Sequence, residues 1–208
     1  MILSTLNTTV TDLNSTILAS FPGAERVYRS VDSADVDNEE SGIAEMPLEY
    51  LHSIQLPSLP LSTLVLKVGV PVMCLRNIAP EEGLCNGSRM VITELGRHCL
   101  QVRMLGGDFD GEFRTIPRIK ISSGNELPFT LTRKQFPIRV CFAMTINKSQ
   151  GQSFKQVGVD LRTPAFAHGQ FYVAVSRVSS ATGLHILLPD TVYTTENVVY
   201  PEVLAGLQ

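Results

Sequence analysis

The residues with most chemistry to offer lie at 145–153, where the chain reads Thr-Ile-Asn-Lys-Ser-Gln-Gly-Gln-Ser. Hydroxyls, amides, one ammonium and a glycine follow directly on an apolar, β-type run from Ile138 to Ala143. Ligand sites in α/β proteins form where a buried strand stops and the next turn presents donors at its carboxyl end. Thr145, Lys148 and Ser149, with backbone N–H groups at a helix start, suit phosphate oxygens. Composition alone leaves a second reading open, a capped helix that merely exposes Lys148 and Gln150.

A further candidate is Arg177, delivered by the amphipathic segment Gln170-Phe171-Tyr172-Val173-Ala174-Val175-Ser176. A permanently charged, fork-shaped guanidinium can neutralise charge developing on a γ-phosphate. It can equally sit on a last helical turn, where the helix dipole favours it. The serines lack a glycine elbow and a neighbouring histidine, which disfavours a serine hydrolase. Asp160 ends an apolar strand, as a catalytic acid or as a cap on the next turn. A phosphate cradle of the form G-x-x-x-x-G-K-[ST] occurs nowhere in the 208 residues, nor does an apolar strand ending in Asp-Glu. The chain alone is therefore expected not to hydrolyse a nucleotide.

The elements that must hold these groups are legible from pattern. Ile2 to Leu6 reads as a strand, followed by a helix capped by Asn7 or Thr8, with Val10, Leu13, Ile17 and Leu18 on one face. Phe21-Pro22-Gly23 ends it. Arg26 to Val31 has strand character, and Met46 to Leu51 reads as a short helix with proline in its first turn. Between them, residues 32–45 carry six carboxylates and predict an acidic loop. Its spacing misses the EF-hand pattern, so a cation site is disfavoured there. Leu64 to Asn77 supplies two strands broken at Gly69 and Pro71. From Gly83 to Arg133 short alternating strands, at Arg89 to Leu95, Cys99 to Leu105 and Glu112 to Ile121, alternate with glycine turns, the texture of a small antiparallel barrel. Strands at 157–160 and 184–188 and a helix at 170–176 return to α/β texture. The pattern is an α/β domain interrupted by a small β insertion.

Composition narrows the classes. A hydrophobic content of 44% with 18% charged residues suits a globular chain, and no apolar run reaches the ~20 residues of a membrane span. Cys74, Cys85, Cys99 and Cys141 form no Cys-x-x-Cys pair and the four histidines are scattered, so no metal site is expected and the thiols read as reduced core residues. The net charge of −3 is segregated: residues 1–60 hold 2 basic and 9 acidic side chains, 61–150 hold 12 and 7, and 151–208 hold 3 and 4. The basic middle third permits nucleic-acid binding.

Four ordered motifs carry a resemblance. Leu66-Lys67-Val68-Gly69-Val70-Pro71-Val72-Met73 with Leu75-Arg76-Asn77, then Gly83 to Arg89, then Ala143 to Gly151, then Tyr172 to Arg177, resemble the carboxyl-terminal half of RecD-like superfamily 1 DNA helicases. The chain looks most like the petite-integration-frequency helicases and their Helitron-encoded relatives, from about residue 2 to 190. The resemblance implies a RecA-like second domain in two parts, 1–82 and 136–208, with a Src-homology-3-like barrel inserted at 83–135. It implies that Thr145, Asn147, Lys148 and Ser149 contact single-stranded DNA, that Gln150 and Gly151 face the nucleotide, and that Arg177 is the arginine finger. ATP with Mg²⁺ would be bound mainly by an amino-terminal RecA-like domain, the implied partner. The implied protein is a monomeric 5′-to-3′ helicase, intracellular and nuclear, with mitochondria as the second location, serving DNA repair and recombination.

Asn147 stands where that family usually has histidine, and an amide cannot become charged. The alternative reading is a non-catalytic module that binds nucleic acid or protein through the same fold. A metal- or acid-dependent enzyme built on residues 32–45 is a third, weaker one.

Overall fold

The computed structural model describes residues 1–35 and 46–202. The chain divides into two compact units, Met1–Ala19 with Phe142–Gln208, and Ser20–Cys141. The amino-terminal strand β1 (Ile2–Ser4) and helix α1 (Asn7–Ser20) open the first unit. The expected face of α1 is only half-buried at Val10, Leu13, Ile17 and Leu18; its buried residue is a polar one, Asn14.

Among the described residues, the second unit holds the next ten strands and one α-helix. Arg26 to Val31 is not one strand: Ser30 is buried, its N–H donates to Ser62 O at 2.7 Å, and the chain divides there into β2 (Arg26–Arg29) and β3 (Val31–Asp35). Of the acidic stretch, residues 36–45 lie outside the described residues. Asp32 belongs to no loop, since it is buried in β3 and paired with Arg133. Helix α2 (Leu48–Ser53) has Pro47 at its N-cap rather than inside the first turn. Strands β4 (Thr63–Leu66) and β5 (Pro71–Cys74) are separated at Gly69, whose φ of +88° suits glycine, and at Pro71.

Strands β6 (Arg89–Leu95) and β7 (Cys99–Leu105) follow the expected hairpin. The run expected from Glu112 to Ile121 breaks at Arg118 into β8 (Phe113–Pro117) and β9 (Ile119–Ser122). Sequence pattern misses β10 (Thr130–Gln135), because its inward side chains include Arg133 and Gln135. The run from Ile138 to Ala143 is also not one strand. Its first part is β11 (Ile138–Val140), antiparallel to β5, and the remainder belongs to the other unit. Among the described residues these strands form three sheets, ordered β11-β5-β6-β7-β8, β3-β10-β9 and β2-β4. Val72, Met90, Ile92, Leu100, Val102 and Ile116 are fully buried in the five-stranded sheet. Because β5 and β11 complete that sheet, the compact unit extends to Ser20 and Cys141, beyond the 83–135 that hairpin texture marks.

Back in the first unit, β12 (Ala143–Thr145), β13 (Val157–Asp160), helix α3 (Gln170–Val175) and β14 (Leu184–Leu187) complete the fold. The four strands form one parallel sheet, β12-β1-β13-β14. Parallel strands read as apolar runs, and Leu3, Ala143, Met144, Val157 and Val159 are buried here.

Candidate functional site

In a parallel sheet every strand delivers its carboxyl end to one edge. Register sets Ser4 beside both Thr145 and Asp160 there, and all three are buried. β12 is an edge strand, and the Asn14 side chain serves as its missing neighbour. Its Oδ1 accepts the N–H groups of Phe142 at 2.8 Å and Ala143 at 2.9 Å, while its Nδ2 donates to Ala143 O at 3.0 Å. Sequence pattern passes over this residue, although a lone amide amid an apolar helical face is a signal.

Beyond Thr145 the chain makes a single 3-10 turn, Ile146–Ser149, without a side-chain cap. Ile146 plugs it into the core, and the Ser149 hydroxyl, fully buried, donates to Ile146 O at 2.6 Å. Ser149, read from sequence as a phosphate contact, is thus turned inward and holds the turn. The four-residue turn is also not the helix start that sequence suggests. Asn147, Lys148, Gln150 and Gly151 are exposed, and Thr145 is 9% exposed. Gly151 has φ +76°, a left-handed conformation that glycine adopts without steric cost, and the Gln152 N–H closes back onto Ser149 O at 3.0 Å.

Arg177, just past α3, meets this turn. Its guanidinium donates from Nη1 to Gln152 O at 3.2 Å, from Nε to Val173 O at 3.0 Å and from Nη2 to Ser176 Oγ at 2.9 Å. Its carbonyl accepts the Phe154 N–H at 2.8 Å. The two clusters are therefore joined by backbone and side chain, and α3 packs on the 146–149 turn. Gln170, buried, accepts the Phe166 N–H at 3.0 Å and so fixes the approach to α3.

Asp160 acts as a cap. Its carboxylate accepts the Arg162 N–H at 3.1 Å and the Arg162 guanidinium at 2.9 and 2.6 Å. Hydrogen bonds from Arg162 hold its pKa below the ordinary value, against the opposing effect of burial. Among the described residues no three His, Cys, Asp or Glu side chains gather as a metal site, and no helix is long and apolar enough to cross a membrane.

Comparison with known proteins agrees with this architecture. Residues 49–95, wholly inside the second unit, match the family model described as DNA helicase Pif1, 2B domain. The ATP-dependent DNA helicase PIF1 of Rattus norvegicus is 32% identical over 177 residues, 84% of this chain and 25% of the relative. Over its whole length the chain superposes on Pif1 helicase from Candida albicans with a TM-score of 0.71 and 25% identity, covering 49% of that structure. It superposes equally on Bacteroides Pif1 in complex with ADP-AlF3 and single-stranded DNA, TM-score 0.70, 25% identity, 44% of that structure. An α/β fold of this kind, with its 2B match, defines the chain as a carboxyl-terminal region of superfamily 1 helicases. Within them its likeness is to the Pif1 family, which the 2B match, the PIF1 relatives and the Pif1 structures support together. The chain spans about a quarter of the length of the curated relatives it matches.

Proposed function

We propose that this chain is the second motor domain of an ATP-dependent 5′-to-3′ DNA helicase. The observation that carries the reading is the 3.2 Å bond from Arg177 to the carbonyl of Gln152. A change at one cluster must be felt at the other. Three of the guanidinium's five N–H donors are engaged within the chain, leaving donors for an anion. In this reading Arg177 is the arginine finger for ATP·Mg²⁺ held mainly on an amino-terminal RecA-like domain. Gln150 and Gly151 form the nucleotide-facing turn. Thr145, Asn147 and Lys148 grip single-stranded DNA, with Ser149 bracing the turn from behind. The β-rich unit corresponds to the Src-homology-3-like insertion of the family. Hydrolysis drives opening and closing of two RecA-like domains, and the turn converts that motion into a changing grip on DNA.

The test is DNA-stimulated ATP hydrolysis by this chain mixed with a separately made amino-terminal RecA-like domain. Activity restored by mixing and abolished by Arg177→Ala supports the motor. A mixture that binds DNA yet never hydrolyses ATP rejects it in favour of a binding module.

A further inference from the structure

The three-stranded sheet β3-β10-β9 has two faces of opposite character. The inner face is sealed: Asp32, Arg133 and Ile121 lie side by side in one register row, all buried, over a core of Leu51, Leu59, Phe129 and Leu131. Among the rows whose side chains are all described, the outer face turns two to solvent. One is Val31, Lys134 and Lys120; the next is Ser33, Thr132 and Ser122.

Lys134 and Lys120 stand directly opposite on neighbouring strands, which places their Cβ atoms about 4.5–5.5 Å apart. Like charges so placed oppose one another, and among the described residues neither lysine forms an ion pair. Nothing in folding requires this pair, since both side chains are exposed. An anion between them would remove the repulsion. The hydroxyl row beside them adds further donors suited to phosphate oxygens. Arg29, exposed, ends the neighbouring strand β2 two positions before Val31; Arg118 hydrogen-bonds its carbonyl at 2.8 Å while stacked over Tyr28 and Phe136.

We infer that this outer face is a second nucleic-acid contact, binding the phosphodiester backbone of duplex DNA through Lys120, Lys134 and the hydroxyls of Ser33, Thr132 and Ser122. Charge complementarity selects a polyanion. The choice of duplex over single strand rests on what the two rows lack: they contain no aromatic side chain on which an unpaired base could stack, the usual means of holding single strands. The face can position a backbone without reading bases. The inference rests on the DNA-helicase reading only for the choice of DNA as the polyanion.

The experiment measures binding of the full chain to a fluorescent duplex, and to a single strand of equal length, over a salt series. Lys120→Ala/Lys134→Ala should weaken duplex binding and reduce the slope of log K against log salt by about 2. Between about 50 and 200 mM salt the parent chain should thus lose roughly tenfold more duplex affinity than the variant. Single-strand binding should be retained by that variant and lost in Lys148→Ala. Thr132→Lys, which adds charge beside the pair, should tighten duplex binding and steepen the slope. Duplex affinity and slope unchanged in both variants would overturn the inference, as would a parent chain that binds no duplex. Equal losses on duplex and single strand would overturn the duplex assignment. Loss of single-strand binding in Lys148→Ala alone would leave the motor reading standing while this face fell.

Discussion

Asn14 binds both backbone groups of Ala143, 129 positions away, accepting its N–H at 2.9 Å and donating to its carbonyl at 3.0 Å. An edge strand presents unpaired N–H and C=O groups, and here one amide side chain supplies what a fifth strand would. The strand so held is the one that ends at Thr145.

Removing that amide should therefore cost more than a surface hydrogen bond. Asn14→Ala removes three hydrogen bonds to buried or half-buried backbone groups, each worth about 1 kcal/mol or more. A loss of about 2–4 kcal/mol is expected in urea unfolding. Asn14→Asp keeps the acceptor for two N–H groups but sets a carboxylate oxygen against Ala143 O. Its cost should match or exceed that of alanine near neutral pH and shrink at acid pH, where the protonated carboxyl regains a donor. A cost independent of pH would mean that the bond to Ala143 O contributes nothing.

Gly151 tests the turn itself. A Cβ there meets nothing within 4 Å, so any cost of substitution comes from its φ of +76°. Gly151→Ala should destabilise by about 1–2 kcal/mol through backbone strain, and Gly151→Asn by less, because asparagine tolerates the left-handed region better. Equal costs would point to a contact rather than to the conformation. In the reconstituted motor, both variants should impair DNA-stimulated hydrolysis more than their stability loss explains.

Arg177→Lys separates charge from shape. Lysine keeps the positive charge but cannot span Gln152 O, Val173 O and Ser176 Oγ with one planar fork. The reconstituted ATPase should fall at least about 10³-fold in either Arg177→Lys or Arg177→Ala. Near-full activity with lysine would show that charge alone suffices and that the tether to the turn is incidental.

Much of the architecture is legible in the amino-acid sequence. The break at Gly69 and Pro71, the β6–β7 hairpin and the strand–helix opening follow from local chemistry, in which glycine, proline and alternation act over a few residues. Long-range partnership is what local pattern does not show. Ile138 to Ala143 looks like one strand because both sheets want apolar β-formers, and nothing local marks the change of sheet at Cys141 and Phe142. β10 fails the alternation test because its inward Arg133 is neutralised by Asp32, 101 positions away. At the site, Lys148 and Arg177 can be named from their types, but the carbonyl that joins the clusters belongs to Gln152, and a backbone acceptor leaves no mark on sequence. Ser149 shows the converse case, since a hydroxyl in a polar motif can serve the turn, as its bond to Ile146 O does here.

Asp160 gives the first unit a pH dependence of known sign. Its folded-state pKa lies below the ordinary 3.8, chiefly through hydrogen bonds from Arg162. A depressed carboxylate adds stability that is fully present above the unfolded value and is lost as pH falls through the folded one. The parent chain should therefore lose this contribution below about pH 4. Asp160→Asn, which still accepts the Arg162 N–H but not as a charge, should be less stable at pH 7 and differ less from the parent near pH 2.5–3. A constant gap between the two across that range would show that the carboxylate does not titrate with folding.

The buried pair in the second unit carries the largest expected effect. Arg133 and Asp32 have side chains 1% and 0% exposed at 2.7 Å, and the guanidinium also donates to the carbonyls of Leu51, Ile54 and Pro60 at 2.8, 3.2 and 3.0 Å. Arg133→Met strands a buried carboxylate and three carbonyls, so a loss of about 3–5 kcal/mol is expected. Asp32→Asn should cost less, because the arginine keeps its three carbonyl acceptors and an amide oxygen remains opposite it. Replacing a simple buried ion pair by two apolar residues is often neutral. Here Asp32→Leu/Arg133→Met should recover only part of the single-variant loss, since the carbonyls of Leu51, Ile54 and Pro60 remain without a donor. Urea midpoints of the parent, the two single variants and the double variant decide the matter. Full recovery in the double variant would show that the ion pair dominates and that the carbonyl bonds to α2 and its following loop add little.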